Sequence, residues 1–429
     1  MGIWHRFQGW AAEGGNVSIA ICGAGYLGRS LVTQFRRADG MSPALVVNRT
    51  VEHAVRAYEL AGYPASDVVV SDDLRQLRQA IADGRPAVAS SAQVLPELGG
   101  IDLVVEATGA LSYGAETIVN ALNNGMDVVS MNAEVEATIG PLLHQIAREN
   151  GVVYTPGDGD QPGAMLRMIE QVESFGLEVV AAINCKGNQD LHQNPDDSRP
   201  YAQRDNTSLQ QTTSWGDGTK MQMENAVAAN IAGLVPDVRG MHGVPTTLAN
   251  AARDIAAAVS GSGRIEYTLG GDFGGGVGVL AANTLGSELV AASLKLNKMG
   301  QGPGYFFFRP FHIAALEVPL TVAEVVVDRE SVGSAPAQHV VDVVSMAKRD
   351  LKSGEELDGF GGFTTYGFLE TAGKAADFLP IGLAQDVRLN DDVAIDEPIP
   401  LAAVEFNEDD PLVRLWRRQT AEMDNAAAS

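Results

Sequence analysis

The sequence predicts an α/β protein in three parts: a doubly wound parallel-sheet domain, a central α+β region, and a small all-β domain toward the C-terminus. Three observations predict it. First, apolar runs rich in β-branched residues alternate with helical patterns, as in VSIAIC (17–22), ALVVN (44–48), IDLVVEAT (101–108) and MDVVSMN (126–132). Second, those runs are apolar throughout rather than on alternate residues, which marks strands covered on both faces of a parallel sheet. Third, beyond residue 335 the texture changes to short strands broken by Gly and Asp turns, the pattern of a small β domain.

The elements follow in order. Residues 1–15 read as an N-terminal extension of one or two helical turns. The first domain spans 16–160. Its first strand, VSIAIC, leads into a helix with Leu27, Leu31 and Phe35 at four-residue spacing. A strand (44–48) and a helix (51–62) come next. Residues 64–100 form an excursion holding a helix (73–84) that stops on Gly84. Strand 101–108, helix 114–124, strand 126–132, helix 139–150 and strand 152–157 complete the domain. The central region, 161–335, holds a helix (163–176), the strand EVVAAIN (178–184), a polar loop (188–205) and a helical stretch (226–233). GGDFGGGVG (270–278) reads as a loop, since it lacks the lysine and the strand-to-helix context of a P-loop. YFFFRPFHIAALEVPL (305–320) mixes strand and helix signals and would return the chain to the first domain. SVGSAPAQ (331–338) is a small-residue linker. The β domain covers 336–406, and 407–429 reads as a surface helix with a frayed tail.

With 429 residues, 45% hydrophobic and 20% charged, the chain can bury a large core. Its formal charge of −24 repels nucleic acid and anionic membranes, so neither is expected as a partner. Two cysteines do not make a disulfide framework, and Cys22 reads as a small core residue. The leading residues lack the basic start and apolar core of a signal peptide. No apolar run approaches the roughly 20 residues needed to span a bilayer. The expectation is a cytoplasmic protein.

Gly23-Ala24-Gly25-Tyr26-Leu27-Gly28 fits G-x-G-x-x-G, follows a strand and opens an amphipathic helix. In that context the hexapeptide is a dinucleotide fingerprint of the Rossmann type. Gly23 permits the tight turn, Gly25 lets a pyrophosphate approach the backbone, and Gly28 packs helix on strand. The helix N-terminus offers its unpaired N–H groups to the phosphates. About 20 residues on, an NAD site carries an acid for the ribose hydroxyls. Asn48-Arg49 stands there instead, and Arg49 could bind a 2′-phosphate, so NADP is expected over NAD. Thr108, Gly109 and Asn132, at later strand ends, are expected beside the ribose or nicotinamide. Glu134 could face the substrate, or simply favour its helix start.

Hydride transfer at a carbonyl needs a proton handled at oxygen. Lys186, one of only seven lysines, ends an apolar strand, where partial desolvation would lower its pKa. Asp158 and Asp160, in TPGDGDQP, could bind substrate hydroxyls or a divalent metal, or serve as turn residues. His242, between glycines in GMHG, could reach a ligand. No His/Cys cluster signals zinc, and use of a metal stays open.

Taken together, GAGYLG, VVEATG, VVSMNAE, YTPGDGDQP, CKGN, GLVPDVRGMHG and YFFFRPFHIAALEVPL resemble one family over nearly the whole chain. It is that of homoserine-dehydrogenase-related oxidoreductases with a C-terminal SAF domain, which includes the deoxyxylulose-phosphate-reductoisomerase-like enzymes. AKRDLKSGEEL (347–357) and the segment from Leu379 resemble SAF, a small β-clip module. The resemblance implies an NADP-type fold, a central substrate and dimerisation region, and a homo-oligomer, dimer or tetramer. It places Lys186, Asp160 and Glu134 in family motifs. Ala133 stands where homoserine dehydrogenases have lysine, which argues against homoserine semialdehyde as substrate. Members of the reductoisomerase-like type are richer in lysine around Lys186, where this chain has Asn184 and Asn188, which argues against deoxyxylulose 5-phosphate unless Arg199, Arg204 or Arg239 supplies the charge. The leading expectation is an oxidoreductase of a small polyhydroxylated carbonyl compound, such as a sugar phosphate or sugar acid, with or without isomerisation. The alternatives are a cofactor-assisted lyase or epimerase, and a dinucleotide-binding sensor.

Overall fold

A computed structural model describes residues 2–333 and 338–428. The chain forms two compact units, one from Met1–Asp160, Ile313–Ser334 and Arg418–Ser429, the other from Gln161–His312 and Ala335–Arg417. The expected linker at 331–338 falls partly on residues 334–337, outside the described residues.

The first unit carries a parallel sheet of β1 (Val17–Cys22), β2 (Met41–Val47), β3 (Val69–Val70), β4 (Ala87–Ala89), β5 (Leu103–Glu106), β6 (Asp127–Ser130) and β7 (Tyr154–Pro156). Their order is β3-β4-β2-β1-β5-β6-β7: the chain steps from β1 to β2 on one side and from β5 to β7 on the other, with β4 inserted between the edge strand β3 and β2. The crevice between the carboxyl ends of β1 and β5 is where such a sheet binds its ligand. Two of these strands were not expected: β3 and β4 lie inside the 64–100 excursion and extend the sheet beyond β2. The N-terminal extension is also more than a turn or two. It is the helix Ile3–Ala12, whose Phe7 is fully buried in the same core as Ile19, Ile21, Val318 and Val322. Burying such a ring contributes about 1.5–3 kcal/mol.

The return segment, helix Ala314–Asp328, puts Val318, Val322 and Val325 into this core. The helix expected over 139–150 starts earlier and spans Ala133–Asn150, with non-helical geometry at Ile139 and Pro141 just after it. The bond from Leu142 N–H to Thr138 C=O, which a regular helix would make, is replaced by one side chain. Leu142 N–H donates to Gln419 Oε1 (3.1 Å), and Gln419 Nε2 donates to the Thr138 carbonyl (3.2 Å). The expected C-terminal helix is Pro411–Ala428, with exposed residues along much of its length, and Gln419 lies on its buried side. Gln419→Ala would leave two buried backbone groups unsatisfied. It should cost about 2 kcal/mol or more, read as a lower melting midpoint of this unit. An unchanged midpoint would mean that water replaces the amide at no cost.

The second unit contains a five-stranded sheet of β8 (Glu178–Lys186), β9 (Val244–Pro245), β10 (Arg264–Leu269), β11 (Val277–Ala282) and β12 (Gly304–Arg309). The order is β12-β11-β8-β10-β9, with β8, β10 and β9 parallel and β11 antiparallel to both its neighbours. The polar stretch 188–205, expected as a loop, contains the helix Pro195–Asp205. Asn194 caps it, accepting from Asp196 and Asp197 N–H, while Asp197 reaches back to the Asn194 N–H. This reciprocal cap and the proline at the first helical position stabilise a helix whose residues are otherwise polar. Helix Thr219–Ala232 is buried along nearly its whole length. The C-terminal strands are β13 (Val341–Ala347), β14 (Glu356–Asp358), β15 (Thr365–Thr371), β16 (Gln385–Leu389) and β17 (Val404–Glu405). β13 pairs with β15, and β14-β16-β17 make a second small antiparallel sheet.

Candidate active site

In the first unit the glycine loop follows β1. Gly23 sits at φ 105°, and a Cβ there would lie 2.5 Å from the Ala107 carbonyl oxygen. A Cβ on Gly28 would lie 2.0 Å from the Gly23 carbonyl oxygen, so helix and turn touch backbone to backbone. Gly25 differs: it is exposed, and a Cβ there would meet nothing within 4 Å. It is the N-cap of helix Tyr26–Arg37, which has no side-chain cap and no acid in its first turn. Its leading N–H groups thus stay open to an anion, and the loop fits a pyrophosphate. Tyr26 is exposed and Leu27 half-buried on the first turn.

Asn48 follows β2, and its amide is engaged within the loop. Its Oδ1 accepts from Ala24 N–H (3.0 Å) and its Nδ2 donates to the Thr50 carbonyl (2.7 Å). Asn48 therefore shapes the glycine turn, and the exposed charge beside it is Arg49.

At the ends of β5 and β6 the polar groups are mostly internal. Glu106 is fully buried, and its Oε1 accepts from the Thr108 N–H (2.8 Å) and the Thr108 hydroxyl. Burial pushes the Glu106 carboxyl above the ordinary range, partly offset by Thr108 and Asn132. Asn132, expected beside the cofactor, is itself fully buried. It caps helix Ala133–Asn150 by accepting from Val135 N–H (3.2 Å) and braces the 108–110 turn by donating to the Ala110 carbonyl (3.2 Å). Thr108 and Gly109 remain half-exposed, while Glu134 is buried in the first turn of that helix. Asp158 is buried, its N–H donates to Thr321 Oγ1 (2.7 Å), and its Oδ2 accepts from that hydroxyl (3.0 Å). Asp160 is half-buried and immediately precedes helix Gln161–Ser174.

In the second unit Lys186 ends β8, on the rung that Leu269 and Pro245 continue through β10 and β9. Its Nζ donates to the Trp215 carbonyl at 2.5 Å. Burial pushes the Lys186 ammonium below the ordinary lysine range, while Glu224 and Asp217 pull it back up. Asn184, two residues earlier, is locked to Gln161 by a reciprocal amide pair (2.9 and 3.0 Å). His242 lies three residues before Pro245. Its Nδ1 meets Glu266 Oε2 at 2.8 Å, and the buried Glu266 also accepts from the His242, Gly243 and Tyr267 N–H groups. That fixes the ring by one nitrogen and leaves it about one-third exposed, at 32%.

Arg199, Arg204 and Arg239 pair with Asp196, Asp205 and Glu370. Each of the cations considered for a phosphate is therefore held by a carboxylate. Among the described residues no group of three or more His, Cys, Asp or Glu could hold a metal ion. No helix among them is long and apolar enough to cross a membrane.

Four neighbours of these residues were not expected: Asp217 and Glu224, whose charges act on Lys186, Lys348, which pairs with Asp217, and Gln161, which pairs with Asn184. Lys348 carries a usable signal: like Lys186, it is a lysine at the end of an apolar strand.

Residues 23–156 match the homoserine dehydrogenase NAD-binding domain, and residues 159–318 match the catalytic domain of oxidoreductase DRL. No curated protein matches the chain. Among solved structures, the chain is similar to a 1-deoxy-D-xylulose 5-phosphate reductoisomerase of Zymomonas mobilis in complex with NADPH. That match has 15% identity, covers 74% of this chain and 83% of the other, and has a TM-score of 0.40. It is also similar to a DOX-P reductoisomerase with fosmidomycin and magnesium, at 14% identity, 72% and 68% coverage, and a TM-score of 0.40. The chain thus joins a NAD-binding domain of the homoserine dehydrogenase type to a catalytic domain of the DRL type, and is an NAD(P)-binding oxidoreductase of that kind.

Proposed function

We propose that the protein is an NADP(H)-dependent reductase or dehydrogenase of a small polyhydroxylated carbonyl compound, with Lys186 as its acid. The observation that carries this reading is the Lys186 ammonium. It is half-buried, oriented by the Trp215 carbonyl and eased toward proton release by burial, within the segment that matches an oxidoreductase catalytic domain. The bound dinucleotide supplies or accepts the hydride. In the reducing direction Lys186 gives one proton to the carbonyl oxygen and becomes a neutral amine, which solvent then reprotonates. In the oxidising direction the neutral amine takes the hydroxyl proton. His242, held at Nδ1 by Glu266, is suited to orient a substrate hydroxyl. Arg49, exposed where an acid would favour NAD, supports a preference for the 2′-phosphate.

The test is a panel of sugar phosphates, sugar acids and related carbonyl compounds, followed at the NADPH and NADH absorbances. At least one compound should oxidise NADPH, and NADH should serve less well. Tight NADPH binding without turnover of any compound would overturn the reading in favour of a sensor. Product formed without net oxidation would identify a lyase or epimerase. A clear preference for NADH would remove Arg49 from cofactor choice.

A further inference from the structure

Lys348 directly follows β13, in the C-terminal β region, and its side chain is only 3% exposed. Its Nζ donates to the Gln193 carbonyl, the Gly362 carbonyl and Asp217 Oδ2, each at 2.8 Å. An ammonium has three N–H donors, so this one has no donor left for a ligand. Asp217 is completely buried, and its Oδ1 accepts from Thr219 N–H (2.8 Å). Its backbone carbonyl accepts from Gln189 Nε2 (3.1 Å).

Asp217 is the C-cap of helix Leu209–Gly216, and two residues earlier, in the last turn of that helix, is Trp215, whose carbonyl holds Lys186. The turn has little slack. Asp190 N–H donates to the Gly216 carbonyl (3.0 Å), a Cβ on Gly216 would lie 2.1 Å from the Gln193 amide, and Gly218 sits at φ 87° with Gln189 Nε2 1.9 Å from its Cβ position. The charged groups that act on Lys186 are Glu224, from helix Thr219–Ala232, and Asp217. Lys348 stands against Asp217 with the opposite sign.

We propose that Lys348 is a positioning residue of the active site: it neutralises Asp217 and anchors the last turn of helix Leu209–Gly216, on which the Lys186 ammonium rests. The C-terminal β region would then complete the catalytic machinery rather than accompany it. With its three donors engaged within the protein, Lys348 acts through Asp217 and the turn. The assignment rests on Lys186 being the acid, but its test needs no substrate.

The two members of an ion pair make opposite forecasts for a neighbouring lysine, whereas two merely structural residues would not. Full-length Lys348→Met, Asp217→Asn and the double variant are labelled with an amine-reactive reagent across alkaline pH. The modification of Lys186 is then followed by peptide mass spectrometry. Lys348→Met removes a positive charge and leaves Asp217 unopposed, so the labelling midpoint of Lys186 should rise. Asp217→Asn removes the negative charge and leaves Lys348, so the midpoint should fall. Each shift should be about one pH unit, as expected for charges a few ångströms apart in a partly buried site. The double variant should return close to the parent.

If Lys348→Met alone does not fold, Asp217→Asn and the double variant still differ only by the Lys348 charge, and the double should have the higher midpoint. Equal midpoints in those two, or single-variant shifts in the same direction, overturn the proposal. Unimpaired turnover in a Lys186 variant would instead refute the catalytic reading and leave the electrostatic coupling standing.

Discussion

Lys186→Ala is expected to slow turnover about 100-fold or more while NADPH affinity stays within about twofold, because the substitution touches only the proton-handling half of the chemistry. The ammonium sits in the second unit, outside the glycine loop, and its hydrogen bond goes to a backbone carbonyl, that of Trp215. Removing it therefore leaves one unmet carbonyl, a small structural cost beside the loss of the acid. The pH dependence has a definite sign. Reduction requires the protonated lysine, so its rate should fall as pH rises through the Lys186 pKa. Burial places that fall below the ordinary lysine range. Oxidation requires the neutral amine and should rise over the same interval. Steady-state rates in both directions across pH, with cofactor affinity from NADPH fluorescence, provide the check. An Ala variant with parental turnover would remove Lys186 from the mechanism.

The second large effect belongs to the glycine loop, where Gly28 and Gly25 make contrasting forecasts. At Gly28 the added Cβ would meet a backbone oxygen at 2.0 Å. The turn has no compliant side chain to yield, and Gly23 is itself held at φ 105° against Ala107. Gly28→Val should therefore push the turn off the helix and misplace its N–H groups. Losing two hydrogen bonds to a charged phosphate costs about 3 kcal/mol or more, or roughly a hundredfold in NADPH affinity, together with some stability. Gly25→Ala meets nothing in the free protein, so its melting midpoint should match the parent. The methyl would instead occupy the approach of the pyrophosphate, and affinity alone should fall. Paired melting and NADPH titrations separate the two. A Gly25→Ala variant that binds normally would mean that the pyrophosphate lies elsewhere.

Much of the first unit is legible in the sequence because its signals are local. Apolar runs of four or more residues, the glycine hexapeptide and four-residue helical spacing all lie within short windows. Strands of two or three residues such as β3 and β4 are too short to show a period, so the sequence does not reveal them. Helix Pro195–Asp205 is hidden for a different reason. Its composition is polar and it contains Pro195 and Pro200, although Asn194, Pro195 and Asp197 together spell a helix start. A lysine at the end of an apolar strand points to Lys186, and the same rule applied twice selects Lys348. Its partner is not legible, because 131 residues separate Lys348 from Asp217 and nothing local couples them. Asn132 does stand at a strand end, as its sequence context indicates, but its burial depends on Ala110, Val135 and Glu106, which only the folded chain assembles.

Gln419 has a consequence for how this protein is made. The cofactor-binding unit draws on residues up to 160, on the helix that begins at Ala314, and on the stretch from Arg418. A ribosome delivers about 5–20 residues per second, and a nascent domain folds when its last contributing stretch emerges. The complete parallel sheet is therefore available early, but the side chains of Val318 and Val322 that cover part of its core arrive much later, and the amide that closes the broken helix later still. For roughly tens of seconds the newborn chain carries an uncovered apolar face. That interval is a window for chaperone engagement, and it makes premature release of the chain before Gln419 a hazard to the half of the molecule synthesised first.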